Sequence, residues 1–301
     1  MKQWDNYWQN QAVAAVNEPQ LQRALARFWR QRTQHFDKVI YAVDVASGHG
    51  DVIRHIDRPQ WHWAATDLAS IPAQQHAITL AGIDAAQQPF SSGQFDLVVS
   101  QFGLEYADVA AALQEALRIG RPNATILALL HHTDSIISQQ ARIDVMDVQH
   151  FANSKVASLI EALIEEMGVV VTEADFAALE QRHSLQALGQ QLDVALSALR
   201  KQISAGLFRL VLAGIERVLN EQMAQPVSVR LELWRAGVQD LQLFRERNQH
   251  QLSAALTAAD LQRICHGLSA DNLHIEHGLL QSEEGLVAHW LQLTKIEPKH
   301  L

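Results

Sequence analysis

The stretch that decides the fold reads Val43-Asp44-Val45-Ala46-Ser47-Gly48-His49-Gly50 and follows the apolar residues 39–42. An apolar run that breaks into a turn with two glycines is typical of a strand followed by a helix, here predicted over Asp51 to Ile56. Glycine adopts positive φ angles and lets the backbone approach a ligand closely. The stretch therefore predicts a glycine turn that binds a nucleoside-containing ligand at the start of a helix.

A carboxylate before this turn limits what the ligand can be. Dinucleotide-binding turns carry G-x-G-x-x-G so that a pyrophosphate sits on the helix N-terminus, and a carboxylate at that place would repel the phosphate. Asp44 stands there, and the third glycine is absent. The charge therefore favours a neutral or cationic ligand group, such as the ammonium of a sulfonium amino acid, and disfavours an NAD oxidoreductase.

Three later segments follow the turn in a fixed order. A short apolar run ends on Asp67 about twenty residues after the glycines, where a carboxylate can accept from both hydroxyls of a ribose. Gly82-Ile83-Asp84-Ala85 comes next. The segment from Phe95 to Tyr106 begins as a buried strand, and the C-terminal end of a parallel strand faces the ligand in such sheets.

These segments resemble the class I S-adenosylmethionine (SAM) methyltransferases, whose first motif is usually D/E-x-G-x-G-x-G. Ala46 replaces the first glycine, a change that the turn tolerates if residue 46 keeps a negative φ. The resemblance implies that Asp67 holds the ribose of SAM and that Asp84 accepts from the exocyclic amine of adenine. The cofactor site implied in this way consists of Asp44, Ala46, Ser47, Gly48, Gly50, Asp67, Leu68, Asp84, Ala85, Ser100, Gln101 and Phe102.

The expected fold is α/β, a doubly wound and mostly parallel Rossmann-like sheet. Residues 38–132 are predicted to alternate strand and helix through five parallel strands. Residues 273–280 and 286–294 resemble the antiparallel pair that closes the class I methyltransferase sheet. The apolar spacing at the N-terminus predicts one or two helices, on which lie Trp4, Tyr7, Trp8, Leu21, Leu25 and Phe28.

A large all-helical insertion is expected after strand five, because residues 134–253 carry apolar stripes with helical spacing. The stripes favour a small bundle, with a coiled-coil dimer arm as the alternative. The expected domains are 1–133, the first part of the SAM-binding core with the N-terminal helices; 134–253, a lid, substrate or dimerisation insertion; and 254–301, the closing helix and strand pair of the core.

The composition excludes several classes of function. The 301-residue chain has a formal net charge of −9 and no basic run, so nucleic acid is a poor first guess for its substrate, although a local basic patch for tRNA is compatible with an acidic total. The 15 histidines are scattered, and the single cysteine and missing H-E-x-x-H pattern predict no metal site. No apolar run reaches the length of a membrane span and no signal peptide is seen, so a cytoplasmic protein is expected.

Methyl transfer from a sulfonium is an in-line displacement that needs alignment more than it needs an obligatory catalytic residue. A base, if the acceptor needs one, would stand at the ends of strands four and five, where the residues Glu105, Tyr106, His131 and His132 are available. Structural roles compete with this one for each of them. The adjacent histidines are expected to point to opposite faces of their strand.

The sequence thus predicts a SAM-dependent methyltransferase that acts on a small-molecule acceptor. Two alternatives stay open, a protein or RNA methyltransferase and a non-catalytic SAM-binding module whose helical insertion is a partner surface. A homodimer through the insertion is compatible with either an enzyme or a module.

Overall fold

The computed structural model describes residues 18–268 and 272–296. Its central feature is a seven-stranded sheet with the strand order β3-β2-β1-β4-β5-β7-β6. The predicted helix that would carry Trp4, Tyr7 and Trp8 lies outside the described residues. The strands are β1 Tyr41–Val45, β2 His62–Asp67, β3 Ala77–Ala81, β4 Phe95–Gln101, β5 Gly120–His131, β6 Leu273–Ser282 and β7 Gly285–Lys295.

The first five strands are parallel, and the last two close the sheet in antiparallel orientation, as the sequence predicts. β1 lies between β2 and β4, with Asp44 opposite Ala65 on one side and Val99 on the other. The carboxyl ends of these strands therefore meet at one edge of the sheet. Ligands bind at this edge in open α/β sheets, where the strand order reverses.

Successive side chains of the central strands enter two separate apolar cores, because residues alternate across a strand. Ala42 and Leu97 pack under α1 (Pro19–Thr33) and α2 (Asp51–Ile56). Val43 and Val98 pack on the other face, under α3 (Val109–Ile119) and α10 (Ala258–Leu268). Burial on both faces explains why these strands read as continuous apolar runs.

Helix α1 is the described part of the predicted N-terminal helical region. Its apolar stripe, which includes Leu21, Leu25 and Phe28, is buried in the first core. Pro19 stands in the first turn, where its fixed φ and missing N–H are tolerated. Trp29 is fully buried and adds a residue to the stripe that the sequence analysis left out.

The predicted alternation of strand and helix is wrong on one side of the sheet. Within the described chain, irregular segments without a helix connect β2 to β3 (residues 68–76) and β3 to β4 (residues 82–94). β3 is consequently a partly exposed edge strand, with Ile78 70% exposed. The first of these segments instead folds back toward the glycine turn, to which it contributes a side chain.

The chain divides into two compact units, with boundaries between Gln140 and Ala141 and between Gln249 and His250. The sheet belongs to the first unit. The second unit is helical, with a core of its own that includes Phe151, Ile160 and Trp234. Its helices, two of which cross a boundary, are α4 Ile136–Asn153, α5 Val156–Met167, α6 Glu173–Glu180, α7 His183–Leu199, α8 Ala205–Glu216 and α9 Val227–Ala254.

Among residues 18–268 and 272–296, no helix combines the length and the apolar character that crossing a membrane requires.

Candidate functional site

Every second residue of the glycine turn after β1, from Ala46 to Gly50, has a positive φ. Gly48 and Gly50 have φ angles of 49° and 74°, and Gly50 is the N-cap of α2. Ala46 also has a positive φ, 56°. The expectation that residue 46 keeps a negative φ is therefore wrong, and this alanine holds a conformation that costs an L-residue roughly 1–2 kcal/mol.

Ala46 packs against Gly103, a glycine that follows β4 and lies outside the glycine turn. A Cβ on Gly103 would lie 2.4 Å from the Cβ of Ala46 and 3.1 Å from its carbonyl oxygen. The φ of Gly103 is −137°, so its backbone does not require glycine. Gly103 is needed because the methyl group of Ala46 occupies the space that a side chain at residue 103 would take.

Asp67 is the last residue of β2, and its side chain binds both the glycine turn and the segment that follows β2. Its Oδ2 accepts from the backbone N of Gly48 at 2.9 Å, and its Oδ1 accepts from the backbone N of Ala69 at 2.8 Å. The side chain is buried at the edge of the sheet. The carboxylate therefore fixes both the glycine turn and the start of the segment after β2.

A cavity of about 310 Å³ opens beside these residues in the first unit. Six of the twelve predicted cofactor residues line it, namely Ala46, Asp67, Leu68, Asp84, Ala85 and Phe102. The other lining residues are Ala69, Ile83, Ala86, Gly103, Tyr106, Ala107, Asp108 and His250. The predicted residues Asp44, Ser47, Gly48, Gly50, Ser100 and Gln101 stand outside this lining.

Asp44 is not among the lining residues and is completely buried. Neither of its carboxylate oxygens has a hydrogen-bond partner among the residues that the structure describes. Desolvation raises the pKa of Asp44 well above its usual range, and the nearby carboxylates of Asp51 and Asp67 raise it further. A buried acid of this kind is stabilised in its ionised form by a cation brought close to it.

The two polar residues at the end of β4 differ in what they face. The Oε1 of Gln101 accepts from Nε1 of Trp29 at 2.6 Å, so this side chain binds α1. Ser100 is buried, and its Oγ has no partner within the described part of the chain. Phe102, which follows, has a φ of 56° and stacks on the ring of His131 with the centroids 4.4 Å apart.

Asp84 and Ala85 form part of the cavity wall on the side of β3. Asp84 accepts with Oδ1 from the backbone N of Ala86 at 2.8 Å, which fixes its carboxylate in a tight turn. Ala85 is buried next to it. One acid therefore lies at the end of β2 and a second beyond β3, and both border one cavity.

Of the four residues proposed as a base, only Tyr106 lines the cavity. Glu105 is buried beneath it, and its Oε1 accepts from the backbone N of His131 at 2.8 Å. Burial raises the pKa of Glu105 to about 7 and lowers the pKa of His131 to about 3. His131 is therefore a neutral ring that packs against Phe102 and Tyr106, with centroid distances of 4.4 and 6.2 Å.

His132 is remote from this group, because adjacent strand residues point to opposite faces, as predicted. Its ring packs on the ring of His289 from β7, with the centroids 4.2 Å apart. Its Nδ1 accepts from the backbone N of Asp134. This histidine directly follows the last residue of β5 and does not line the cavity.

His250 and Gln74 are among the residues of the site that lie outside the sequence prediction. His250, near the end of α9, lines the cavity, and its ring lies 5.2 Å from that of Tyr106. Gln74, in the segment after β2, donates from Nε2 to Ser47 Oγ and to Gly48 O. Neither belongs to a motif, and only the tertiary packing of segments far apart in sequence brings them here.

Among the described residues, no group of three or more histidine, cysteine, aspartate or glutamate side chains is arranged to hold a metal ion. The acids of the site are distributed around the turn and the cavity. Their arrangement suits an organic ligand with hydroxyl, amine and cationic groups.

A comparison with known proteins finds a family likeness over part of the chain. Residues 43–128 match the methyltransferase domain family, an interval that begins in β1 and ends in β5. It contains the glycine turn, Asp67, Asp84 and the end of β4. A search of curated proteins found no match.

Solved structures show more distant likenesses. A SAM-dependent methyltransferase from Mesorhizobium loti is 18% identical, with a TM-score of 0.30, over 36% of this chain and 55% of that one. A geranyl diphosphate C-methyltransferase from Streptomyces coelicolor is 15% identical, with a TM-score of 0.34, over 43% and 63%. This chain thus spans less than two thirds of either. A structure from Methanococcus maripaludis is 12% identical, with a TM-score of 0.39, over 93% and 88%.

Proposed function

We propose that this chain, which carries a class I SAM-dependent methyltransferase domain, transfers the methyl group of SAM to a small-molecule acceptor. The domain match supplies the reaction and the cofactor. The observation that carries the proposal is the 310 Å³ cavity, which is bordered by Asp67, Asp84 and the aromatic residues Phe102 and Tyr106.

The residues around the cavity fit SAM. The molecule supplies an electrophilic methyl group on a sulfonium, and it also carries an ammonium, a ribose diol and an adenine. The unpaired buried carboxylate of Asp44 suits the cationic end, because a nearby cation offsets the cost of a buried charge. Asp67 is at the end of β2, where an acid accepts from ribose hydroxyls, and Asp84 suits the adenine amine.

The groups on the acceptor side are Tyr106 and His250. Both line the cavity, and an imidazole is the most frequent general base in enzymes. Glu105 and His131 have supporting roles in this proposal. His131 packs against the ring of Phe102, and Glu105, which accepts from His131 N, fixes the turn that carries Tyr106. Their burial removes them from direct contact with an acceptor.

The charge of the protein supports a small molecule over a nucleic acid. The formal net charge is −9, whereas proteins that bind nucleic acid present basic surfaces to the phosphates. The helical unit, with approximate bounds 134–253, is proposed to select the acceptor. Its insertion in the chain between β5 and α10, two elements of the sheet unit, supports this role.

The experiment is a transfer assay in which the protein and SAM with a radiolabelled methyl group are added to fractions of a cell extract. The extract is separated beforehand into a fraction below about 1 kDa, a protein fraction and an RNA fraction. We expect label to pass from SAM into a second, chromatographically distinct compound of the fraction below about 1 kDa, and Asp67→Ala protein is the control for background transfer. Label confined to the protein or RNA fraction contradicts the proposal.

A further inference from the structure

The segment between β2 and β3 reaches over the glycine turn through one side chain, that of Gln74. Its backbone is fixed by its own fold: Gln74 N donates to Thr79 Oγ1 at 2.9 Å, and its carbonyl accepts from Ala77 N at 3.4 Å. A glutamine held in this way presents its amide group in a defined position. The amide lies against the turn after β1, a whole strand away in sequence.

The amide nitrogen of Gln74 bridges two acceptors of the glycine turn. Nε2 donates to Ser47 Oγ at 2.9 Å and to the carbonyl oxygen of Gly48 at 3.0 Å. A carbonyl can only accept, so this contact fixes which end of the amide faces the turn. Gly48 also donates from its N to Asp67 Oδ2. Both polar groups of Gly48 are therefore held by residues at or after the end of β2.

Gly50 is the residue that makes room for this amide. A Cβ on Gly50 would lie 2.4 Å from Gln74 Oε1 and 2.7 Å from Gln74 Cδ. The Oε1 atom itself is buried and has no hydrogen-bond partner among the described residues. A buried acceptor without a partner costs free energy of folding. Stability of the turn alone therefore does not explain why the Gln74 amide is held in this position.

We propose that Gln74 is a positioning residue of the cofactor site, which sets the shape of the glycine turn for the amino-acid end of SAM. The inference rests on the proposed function. The amino-acid end is the part concerned because the turn follows Asp44, whose unpaired carboxylate suits an ammonium. Adenosine has its own proposed binding groups in Asp67 and Asp84, which line the cavity, whereas Gln74 is not among the lining residues.

The test compares two ligands that differ only at the amino-acid end. S-adenosylhomocysteine carries that end, and 5′-methylthioadenosine has a methyl group in its place. Gln74→Met keeps the volume of the side chain and removes both hydrogen bonds. We expect it to weaken S-adenosylhomocysteine binding about tenfold in calorimetry and to change methylthioadenosine binding by less than about twofold. Gln75→Met, at the exposed neighbouring position, is the matched control.

An unchanged affinity for S-adenosylhomocysteine in Gln74→Met overturns the proposal, and so does an equal loss for the two ligands. Gln74→Glu repeats the comparison if the methionine variant does not fold, because a carboxylate has the same shape and cannot donate to Gly48 O. Failure of the parent protein to bind S-adenosylhomocysteine contradicts the proposed function instead. The two failures are therefore distinct.

Discussion

Asp67 and Gly48 are joined by a hydrogen bond of 2.9 Å, from the glycine N to the carboxylate Oδ2. The acid at the end of β2 thus belongs to the glycine turn as well as to the cavity wall. The two are adjacent, so one ligand bound at Asp67 can also reach the turn. The hydrogen bond also means that changes at Asp67 act on both parts of the site.

Asp67→Ala is expected to weaken the binding of S-adenosylhomocysteine by roughly 10- to 150-fold. The variant loses a charged acceptor, and a hydrogen bond to a charged group is worth about 1.5–3 kcal/mol. Calorimetric titration measures the change, and Asp193→Ala, on the exposed face of α7, is the control. Equal affinities in Asp67→Ala and the parent would contradict the role of Asp67.

Ala46 and Gly103 are expected to be energetically coupled. Gly103→Ala places a methyl group against the Cβ of Ala46 and should lower the free energy of unfolding by about 1–3 kcal/mol. In an Ala46→Gly background that methyl group is absent, so the same change should cost clearly less. Urea unfolding of the two single variants and the double variant gives the coupling energy. Strict additivity would mean that the two residues do not compete for one space.

Ala46→Gly alone is expected to be neutral or slightly stabilising. Relief of a positive φ gains roughly 1–2 kcal/mol, and the greater freedom of glycine in the unfolded chain opposes it by about 0.4–1 kcal/mol. Gly48→Val is the matched opposite change, because it adds a β-branched side chain at a φ of 49° and should abolish ligand binding. Thermal unfolding and ligand titration test the pair, and parent-like affinity in Gly48→Val would contradict a ligand role for the turn.

Asp84 is expected to read the adenine base. Asp84→Ala should reduce the preference for S-adenosylhomocysteine over S-inosylhomocysteine, which has no exocyclic amine to donate. A site that hydrogen-bonds an amine discriminates strongly against a ligand without it. Competition between the two ligands measures the preference before and after the change. A preference that survives intact would assign base recognition to another residue.

Glu105 is expected to make stability depend on pH. Its pKa is about 7 in the folded protein and near 4.5 when unfolded, so the folded state holds a proton that the unfolded state has lost between these values. Its contribution to stability is full below about pH 4.5 and falls as the pH rises to about 7. Glu105→Gln removes this pH-dependent contribution to the free energy of unfolding and keeps an acceptor for His131 N.

The difference in free energy of unfolding between Glu105→Gln and the parent should therefore shift in favour of the variant as the pH rises. The shift is on the order of 3 kcal/mol between pH 4.5 and pH 7. Taking the difference cancels the opposite contribution of His131, whose pKa is lowered to about 3 and which loses stability as the pH falls below its unfolded value. Parallel pH profiles for the two proteins would contradict the burial of an acid at residue 105.

The sequence predicts the parts of the fold that local pattern determines. Apolar runs interrupted by glycine predict three of its parts. These are the strand and glycine turn from Val43 to Gly50, the strand β2 that ends on Asp67, and the antiparallel pair at the C-terminus. The missing helix after β2 was not predicted, because the segment Leu68 to His76 owes its shape to contacts with the turn.

The site shows the same division. Asp67 was identified from its place at the end of a strand about twenty residues after the glycines, and Asp84 from the resemblance to the class I methyltransferases. Gln74 and His250 were not, since each reaches the site from a segment without a motif. The positive φ of Ala46 and the packing of its methyl group against Gly103 are further features that sequence spacing does not reveal.

The central claim, that the cavity at the ends of β1, β2 and β4 is a SAM site, is tested most directly by calorimetric titration of the intact protein. S-adenosylhomocysteine and NAD are titrated separately under the same conditions. We expect saturable binding of S-adenosylhomocysteine with one site per chain. We expect no measurable heat with NAD, because Asp44 disfavours a pyrophosphate at the turn. Saturable binding of NAD, or no binding of S-adenosylhomocysteine, would contradict this claim.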